Sequence, residues 1–284
     1  MKQLLIGLFS LPLFCSAQNF HFSGRLGLAG YTGDLKAHSI TLSGNRLMGS
    51  LGVRYDLTEK ISARSYLTLT SLTGDDKKGT ESMKARNLNF KSGLFEWELG
   101  GQYSFLDPNE SWWIPYAFAG VGVFHFNPTT KDANGQKVKL QPLATEGEGV
   151  IDGVKKYGLT QLCIPMGIGI ERSLNEDMRL GLEFGYRYTF GDLLDDVSGT
   201  YVDPALLLDL KGQQSVDLAY RGDEVGAGPY PAAGSVRGNP KNKDGYYYIA
   251  VTYTVRYFFD KYKQIAGLPA YKRDKKAGCP ATRY

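Results

Sequence analysis

Cysteine is scarce in this sequence, and strong net charge and long apolar runs are absent. Three cysteines occur in 284 residues; Cys15 lies in the apolar N-terminal stretch, and Cys163 and Cys279 alone make no disulfide framework. The formal net charge of +4 is too small to indicate a nucleic-acid partner. After Ala17 no apolar run approaches the roughly 20 residues that a membrane-spanning helix needs. If such a chain crosses a membrane, it does so with strands.

The N-terminus has the pattern of a secretory signal peptide. Lys2 precedes the apolar stretch from Leu4 to Phe14, and small residues at the first and third positions before the cut predict cleavage after Ala17. A lipoprotein anchored through Cys15 is the alternative. It is disfavoured because Phe14 stands where lipoprotein processing expects glycine or alanine. We therefore expect an exported protein.

Tyrosine, phenylalanine and glycine are abundant, and apolar residues alternate with polar ones along much of the chain. From Met178 to Phe190 every second residue is apolar and shares one face, while Arg179, Glu183 and Arg187 share the other. A tilted membrane strand needs about 9 to 11 residues to cross the hydrocarbon, whereas strands of soluble proteins are usually about 5 to 6 residues long. The length of this segment favours a membrane strand.

Further segments show the same alternation. They cover residues 20–28, 47–55, 61–69, 95–105, 112–126, 162–170 and 247–259. In the segment 112–126 we expect Ala117 and Ala119 to face inward and the large side chains to face outward. The large side chains are Trp112, Ile114, Tyr116, Phe118, Phe124 and Phe126.

The connections alternate between short and long. Residues 56–60, 106–111 and 174–177 make tight polar turns, whereas 31–45, 71–89, 127–158 and 192–245 make long loops. Outer-membrane barrels have short periplasmic turns and long extracellular loops, and an even number of strands leaves both termini in the periplasm. The sequence thus predicts an all-β fold, an eight-stranded antiparallel transmembrane up-and-down β-barrel.

Three regions follow from these predictions. Residues 1–17 are the expected signal peptide, 18–259 the outer-membrane β-barrel, and 260–284 a basic periplasmic C-terminal tail. The tail is rich in lysine and arginine and has no strand pattern. It is either a solvated, partly disordered end or a docking segment for a periplasmic partner.

Charged residues of both signs occupy the face turned away from lipid. They are Arg25, Arg54, Arg64, Glu96, Glu98, Glu171, Arg179, Glu183, Arg187 and Arg256. Because a barrel of eight strands is only wide enough to be filled by side chains, we expect an interlocked network of Arg and Glu without a pore. Glu96 and Glu98 resemble an acid–base pair, but the arginines are numerous enough to neutralise them.

Two loop features are candidates for chemical sites. His38 lies near Asp34 and Ser39, but neither it nor His21 or His125 belongs to a recognisable nucleophile or zinc motif. The fourth long loop opens with an acidic cluster whose oxygens are weak candidates for a Ca²⁺ site. Its aspartates are Asp192, Asp195 and Asp196. A turn role, with the carboxylates accepting backbone hydrogen bonds, is the preferred interpretation. We expect no catalytic residues and no cofactor.

Several stretches carry a family resemblance. They are Gly30, Tyr31 and residues 33–35, residues 86–90 and 127–128, Leu140, Pro142, Leu143, residues 145–147 and Gly149, Pro165, Gly167 and Gly169, and residues 194–201. Together they resemble the outer-membrane β-barrel family of the Bacteroidota that includes the type IX secretion protein PorG. The resemblance implies an integral outer-membrane barrel and, for the best-known member, a place beside the periplasmic ring of the secretion machine. The lysine-rich tail does not match the family pattern.

Three functional hypotheses follow. The leading one is a non-enzymatic structural or interaction component of the cell envelope, integral to the outer membrane, in contact with its lipid and with secretion-machinery proteins as candidate partners. The second is an outer-membrane enzyme acting on lipid or protein. The third is a surface-binding protein or narrow channel that uses the extracellular loops. Nucleic acid is not an expected partner.

Overall fold

The computed structural model describes residues 20–36, 40–41, 44–108, 110–175 and 177–256. The expected signal peptide at 1–17 and basic tail at 260–284 lie outside these residues, as does His38. Nine strands are formed in this part of the chain: β1 Phe20–Thr32, β2 Arg46–Asp56, β3 Ile61–Asp75, β4 Asn89–Ser104, β5 Trp113–Lys131, β6 Lys137–Lys139, β7 Thr160–Ser173, β8 Met178–Thr189 and β9 Gly245–Arg256.

Eight of these strands close into an antiparallel barrel. Each is paired with its neighbours in chain order, β4 pairs with β5, β5 with β7, and β9 returns to β1. The short strand β6 lies outside the ring and pairs only with the end of β5, where Thr129 opposes Lys139. A closed ring leaves no unpaired strand edge, which is the condition for strands to lie in lipid.

The strands alternate between a buried inner face and an exposed outer face, as the sequence predicted. On β8, Glu183 and Arg187 are buried, while Leu180 and Leu182 are 44% and 57% exposed. Leu51 on β2 and Ile168 on β7 are also largely exposed, at 76% and 62%. The barrel therefore carries a continuous outer surface of apolar side chains.

The predicted faces of the fifth barrel strand were wrong. On β5 the aromatic residues Tyr116, Phe118, Phe124 and Phe126 are buried in the barrel, whereas Ala119 is exposed. Ile114 is likewise buried, and Ala117 lies on the outward side with Ala119. Glycines of the neighbouring strand β7 make room for two of these rings, because a Cβ at Gly167 would meet Phe118 and a Cβ at Gly169 would meet Tyr116.

The chain is folded compactly beyond one rim. Helices α1 Glu81–Arg86, α2 Pro204–Lys211 and α3 Gln213–Ala219 and 3₁₀ turns Asp76–Lys78, Gln141–Leu143 and Asp223–Val225 lie in the connections 76–88, 132–159 and 190–244. We call this assembly of loops the cap. At the other rim the connections 57–60, 105–112 and 174–177 are short. No helix in the described ranges is long and apolar enough to cross a membrane.

Helix α2 of the cap was missed at the sequence level although its signals are present. Asp203 caps α2 by accepting hydrogen bonds from the backbone N–H groups of Ala205 and Leu206, and Pro204 occupies the first turn. Gly212 ends the helix with φ of 85°. An N-cap, a proline and a terminal glycine around an apolar run predict a short helix.

Candidate functional site

Glu183 is the centre of a charge cluster buried in the barrel lumen. Its carboxylate accepts hydrogen bonds from Arg25 Nη1 at 2.8 Å, and from Arg64 at 2.9 and 3.0 Å. The hydroxyl of Tyr116 donates a further hydrogen bond at 2.8 Å, and Tyr248 donates another. Since β8, β1, β3, β5 and β9 each provide one of these residues, the cluster ties most of the barrel wall together.

Glu96 and Glu98 on β4 extend the cluster. Arg187 donates to Glu96 at 2.7 Å and also bonds Glu98, while Glu98 lies 3.2 Å from Arg25 and 3.1 Å from Arg64. Three arginines thus face three glutamates within hydrogen-bonding distance. The set is neutral, and every carboxylate has a guanidinium partner, as buried charge requires.

Aromatic rings fill the space between the arginines. The Arg64 guanidinium lies 3.9 Å from the ring centre of Phe118, and that of Arg25 lies 3.6 Å from the ring centre of Tyr66. Both rings therefore make cation–π contacts with buried guanidinium groups. This is the reason why Phe118 faces the lumen and not the lipid.

A second, smaller cluster lies nearer the rim with the short turns. Arg54 donates two hydrogen bonds of 3.0 Å to Glu171, and Arg179 approaches the same carboxylate at 3.9 Å. Arg54 and Glu171 are buried, whereas Arg179 and Arg256 are partly exposed at the strand ends. All ten charged residues predicted for the inner face therefore lie on it or at its rim.

The lumen is closed to water along the described barrel. The side chains of Arg25, Arg64, Glu96, Glu98 and Arg187 are at most 2% exposed. A water-filled channel would expose the charged groups that line it. The lumen is a packed polar core, in keeping with the narrow interior of a barrel with eight strands.

His21, one of the two histidines in the described residues, does not pair with the neighbouring serine. His21 Nε2 lies 2.8 Å from Asp56, and Ser62 donates its hydroxyl to the other oxygen of the same carboxylate at 2.7 Å. The serine thus bonds the acid and not the imidazole, so His21 is not placed to activate it. His125 is exposed on the outer face of β5 and bonds Thr160 at 2.9 Å.

Two carboxylates of the cap share one tyrosine. Tyr31 donates its hydroxyl to Asp195 and lies 3.2 Å from Asp244. Asp195 also accepts the backbone N–H of Val197, and Asp244 that of Leu194, at 2.9 and 2.8 Å. Burial raises the pKa of both carboxyls well above the usual range, and the proximity of Asp195 adds to the shift at Asp244.

Asp196 is a buried turn residue with a left-handed backbone, at φ of 68°. Its carboxylate accepts hydrogen bonds from Thr145 at 2.7 Å and from Tyr157 at 2.5 Å. Burial raises the pKa of Asp196 to about 7, and Glu148 contributes to the shift. The residue joins the connection between β5 and β7 to the connection between β8 and β9.

The three aspartates suggested as metal ligands bind protein donors instead. Asp192 accepts the hydroxyl of Ser198 at 2.7 Å, and burial raises its pKa to about 6. Asp195 and Asp196 are occupied as described above. Across the described part of the chain, no three His, Cys, Asp or Glu side chains are grouped as a metal site. Asp195 accepts a backbone N–H as in the predicted turn role, whereas Asp192 and Asp196 accept side-chain hydroxyls that hold the loops together.

Arginines of the cap were missed at the sequence level. Arg86 bonds Asp76 at 2.8 Å through two nitrogens, and Arg237 donates to Glu146 at 2.8 Å and to the backbone carbonyl of Asp196 at 2.7 Å. The Arg86–Asp76 pair closes the connection 76–88 on itself, whereas the Arg237–Glu146 pair joins two loops across 91 residues of sequence. A loop composition alone gives no signal for such pairing.

A family model places the chain among known sequences. The model described as a domain of unknown function, DUF6089, matches residues 2–204, more than half of the chain. The chain belongs to this family. The match ends as α2 begins, so β9, the strand that closes the barrel against β1, lies beyond it. No curated protein shows significant sequence similarity to the chain.

Solved outer-membrane barrels resemble the chain in fold. Neisserial surface protein A is 10% identical, with 84% of this chain and 97% of that chain covered and a TM-score of 0.41. OprG from Pseudomonas aeruginosa is 11% identical, with the same coverage and a TM-score of 0.41. Ail, the attachment invasion locus protein of Yersinia pestis, in complex with the heparin analogue sucrose octasulfate, is 10% identical, with 83% and 99% covered and a TM-score of 0.38.

Proposed function

We propose that this chain is a non-enzymatic, integral outer-membrane barrel that serves as a structural or interaction component of the cell envelope. The observation that carries the proposal is a closed barrel that is apolar outside and filled with neutralised charge inside. A protein with this distribution has no interior site for a substrate. Its contacts with other proteins are then made at its two rims.

The outer surface favours lipid as the surrounding medium. Leu51, Leu26 and Ile168 are exposed by 76%, 62% and 62% on separate strands, and large apolar residues are exposed all round the ring. Soluble monomers rarely expose contiguous apolar patches above a few hundred Å². In lipid the same surface is favourable, and the closed ring satisfies every strand's backbone groups. The outer membrane is the compartment in which such barrels are found.

The orientation follows from the connections. We assign the rim with connections 57–60, 105–112 and 174–177 to the periplasm and the cap to the cell exterior, because barrels of this class have short periplasmic turns. The start of β1 and the end of β9 lie at the short-turn rim, so both termini are periplasmic in this assignment.

We propose that the partner proteins of this barrel belong to the type IX secretion machinery. The support is the sequence resemblance to the family that includes PorG. In the proposed orientation the short turns face the periplasm, and the basic residues 260–284 follow β9 in the sequence. Crosslinking and affinity purification from native envelopes, with the full chain as bait, tests this assignment. Co-purification of periplasmic secretion-ring proteins supports it, and their absence with the barrel intact contradicts it.

Deletion of residues 260–284 separates the two parts of the proposal. The truncated protein should still fractionate with outer membranes and keep the heat-modifiable gel mobility of a folded barrel. Loss of partners from the truncated bait would place docking on the tail. Retention of all partners would refute docking through the tail. A protein that fails to enter the outer membrane would refute the barrel assignment itself.

A further inference from the structure

Four lysines lie together on the outward face of the barrel at the cap end of β4, β5 and β6. They are Lys91, Lys131, Lys137 and Lys139, and all are exposed. The pairing places Lys91 opposite Thr129, Thr129 opposite Lys139, and Lys131 opposite Lys137. Residues directly opposite in paired strands share a face, so the four ammonium groups belong to one surface, here called the lysine patch.

The cap packs against the inward side of these ends of β4, β5 and β6. The lysine side chains therefore point outward. Ser92 is fully buried, Thr130 accepts a hydrogen bond from Arg221 of the cap at 3.3 Å, and Val138 packs against the buried core. Since successive residues of a strand point to opposite sides, Lys91, Lys131 and their opposite partners point away from the barrel axis.

The lysine patch lies just beyond the apolar surface. On β4 the exposed outward residues from Tyr103 back to Phe95 are apolar or aromatic, and Lys91 lies four residues before Phe95, nearer the cap. Twelve residues separate Tyr103 from Lys91, which is about 40 Å along the strand and about 30 Å along the axis at a tilt near 40°. The apolar band of such barrels is about 25 Å tall. Lys91 therefore reaches the level of the lipid headgroups.

The patch is not neutralised by the protein. None of its lysines makes an ion pair with another described residue. The neighbouring carboxylate, Asp132, accepts the backbone N–H groups of Asn134 and Gln136 in the hairpin turn. The outward rim of β8 differs, because Tyr188 and Phe190 are exposed there, 42% and 58%, and stack edge to face. The outward rims of β4 to β6 and of β8 therefore differ in charge.

We infer that the lysine patch binds the phosphate groups of a phosphorylated glycolipid in the outer leaflet. This inference rests on the proposed function, since it requires the cap to face the outer leaflet. Ammonium groups at headgroup level attract phosphate as point charges, and four on one face match a lipid that carries more than one phosphate. An acidic soluble protein would find the same charge, but these lysines point sideways from the barrel at headgroup level, where lipid surrounds the protein.

The test is lipid binding by the full-length barrel in neutral detergent, measured by native mass spectrometry with diphosphoryl lipid A as the probe. The variant Lys91→Gln, Lys131→Gln, Lys137→Gln and Lys139→Gln removes the patch. A matched variant replaces four exposed lysines of the cap loops, Lys77, Lys84, Lys211 and Lys241, by glutamine. Heat-modifiable mobility is recorded for every sample to show that the barrel is folded.

A lysine near an anionic surface contributes about fivefold in affinity, so the patch variant should bind diphosphoryl lipid A at least tenfold more weakly. The loop variant should change by less than about twofold, and dephosphorylated lipid should bind the natural barrel as weakly as the patch variant binds the probe. Millimolar inorganic phosphate should not displace the lipid; displacement would identify a free-phosphate site and overturn the inference. Equal binding by both variants in folded barrels would also overturn it. An unfolded natural protein in these conditions would instead refute the proposed function.

Discussion

Replacement of Glu183 by alanine is expected to destabilise the barrel more than any change at its surface. The carboxylate accepts hydrogen bonds from Arg25 and Arg64 at 2.8 to 3.0 Å and from Tyr116 at 2.8 Å, and its side chain is 1% exposed. Removal leaves two guanidinium groups in the lumen with one fewer carboxylate between them. Breaking a buried pair by removal of one partner costs about 3 to 5 kcal/mol.

The assay is urea unfolding of the barrel refolded in lipid vesicles, followed by tryptophan fluorescence and by gel mobility. Glu81→Ala is the matched control, because this glutamate also pairs with a cation, Lys84 at 2.7 Å, but its side chain is 91% exposed. An exposed pair contributes about 0 to 1 kcal/mol. The reasoning is refuted if Glu183→Ala and Glu81→Ala lower the free energy of unfolding by the same small amount.

Three further predictions concern the wall and the cap. Gly100→Ala should lower the free energy of unfolding by about 1 to 3 kcal/mol in the same assay, because its Cβ would meet the backbone carbonyl of Ala119, whereas Gly101→Ala, with open space around it, should be near neutral. Asp203→Ala should weaken α2 by about 1 kcal/mol, seen as faster hydrogen exchange at residues 204–211, and Asp209→Ala should not; equal exchange in both would contradict the cap. The stability of the cap should fall as pH rises from roughly 4 to about 7. Burial raises the pKa of Asp196 to about 7, so in this range the folded cap holds a proton that the unfolded loop has lost. Asp196→Asn should reduce that slope in pH-dependent proteolysis of the cap, while Asp192, Asp195 and Asp244 keep the remainder, and an unchanged slope would count against Asp196 as a source.

The strands could be predicted from the sequence because one face of each strand is buried and the other is exposed to lipid, so polar and apolar residues alternate along it. Met178 to Phe190 shows this most clearly, and the turn before it and the long loop after it add independent information. The exception was β5. There both faces carry apolar residues, and the prediction that the larger side chains face lipid depends on side-chain size alone. That prediction failed because Phe118 fills the lumen beside Arg64, where the register leaves space for a ring.

The partners within the lumen could not be predicted. Alternation predicts that Glu96 and Glu98 face inward, but not that Glu183 lies between Arg25 and Arg64, since that depends on the stagger of five strands. The contacts within the cap were still less predictable from the sequence. Arg237 and Glu146 are 91 residues apart, and no local pattern indicates that they meet. Helix α2 is different, because its N-cap Asp203 and its terminal Gly212 are recognisable in the sequence although the region was predicted as a loop.

The central claim is that the outer face of this barrel lies in lipid and the inner face is closed to water. A spin-label scan of β8 tests it most directly, with single cysteines placed from Arg179 to Thr189 in the refolded, lipid-embedded protein in which Cys163 and the other cysteines are replaced. Collision rates with oxygen, which partitions into lipid, should be high at Leu180, Leu182 and Phe184 and low at Arg179, Gly181 and Glu183, with a period of two. Accessibility to a water-soluble nickel reagent on both faces, or the absence of a two-residue period, would contradict the account.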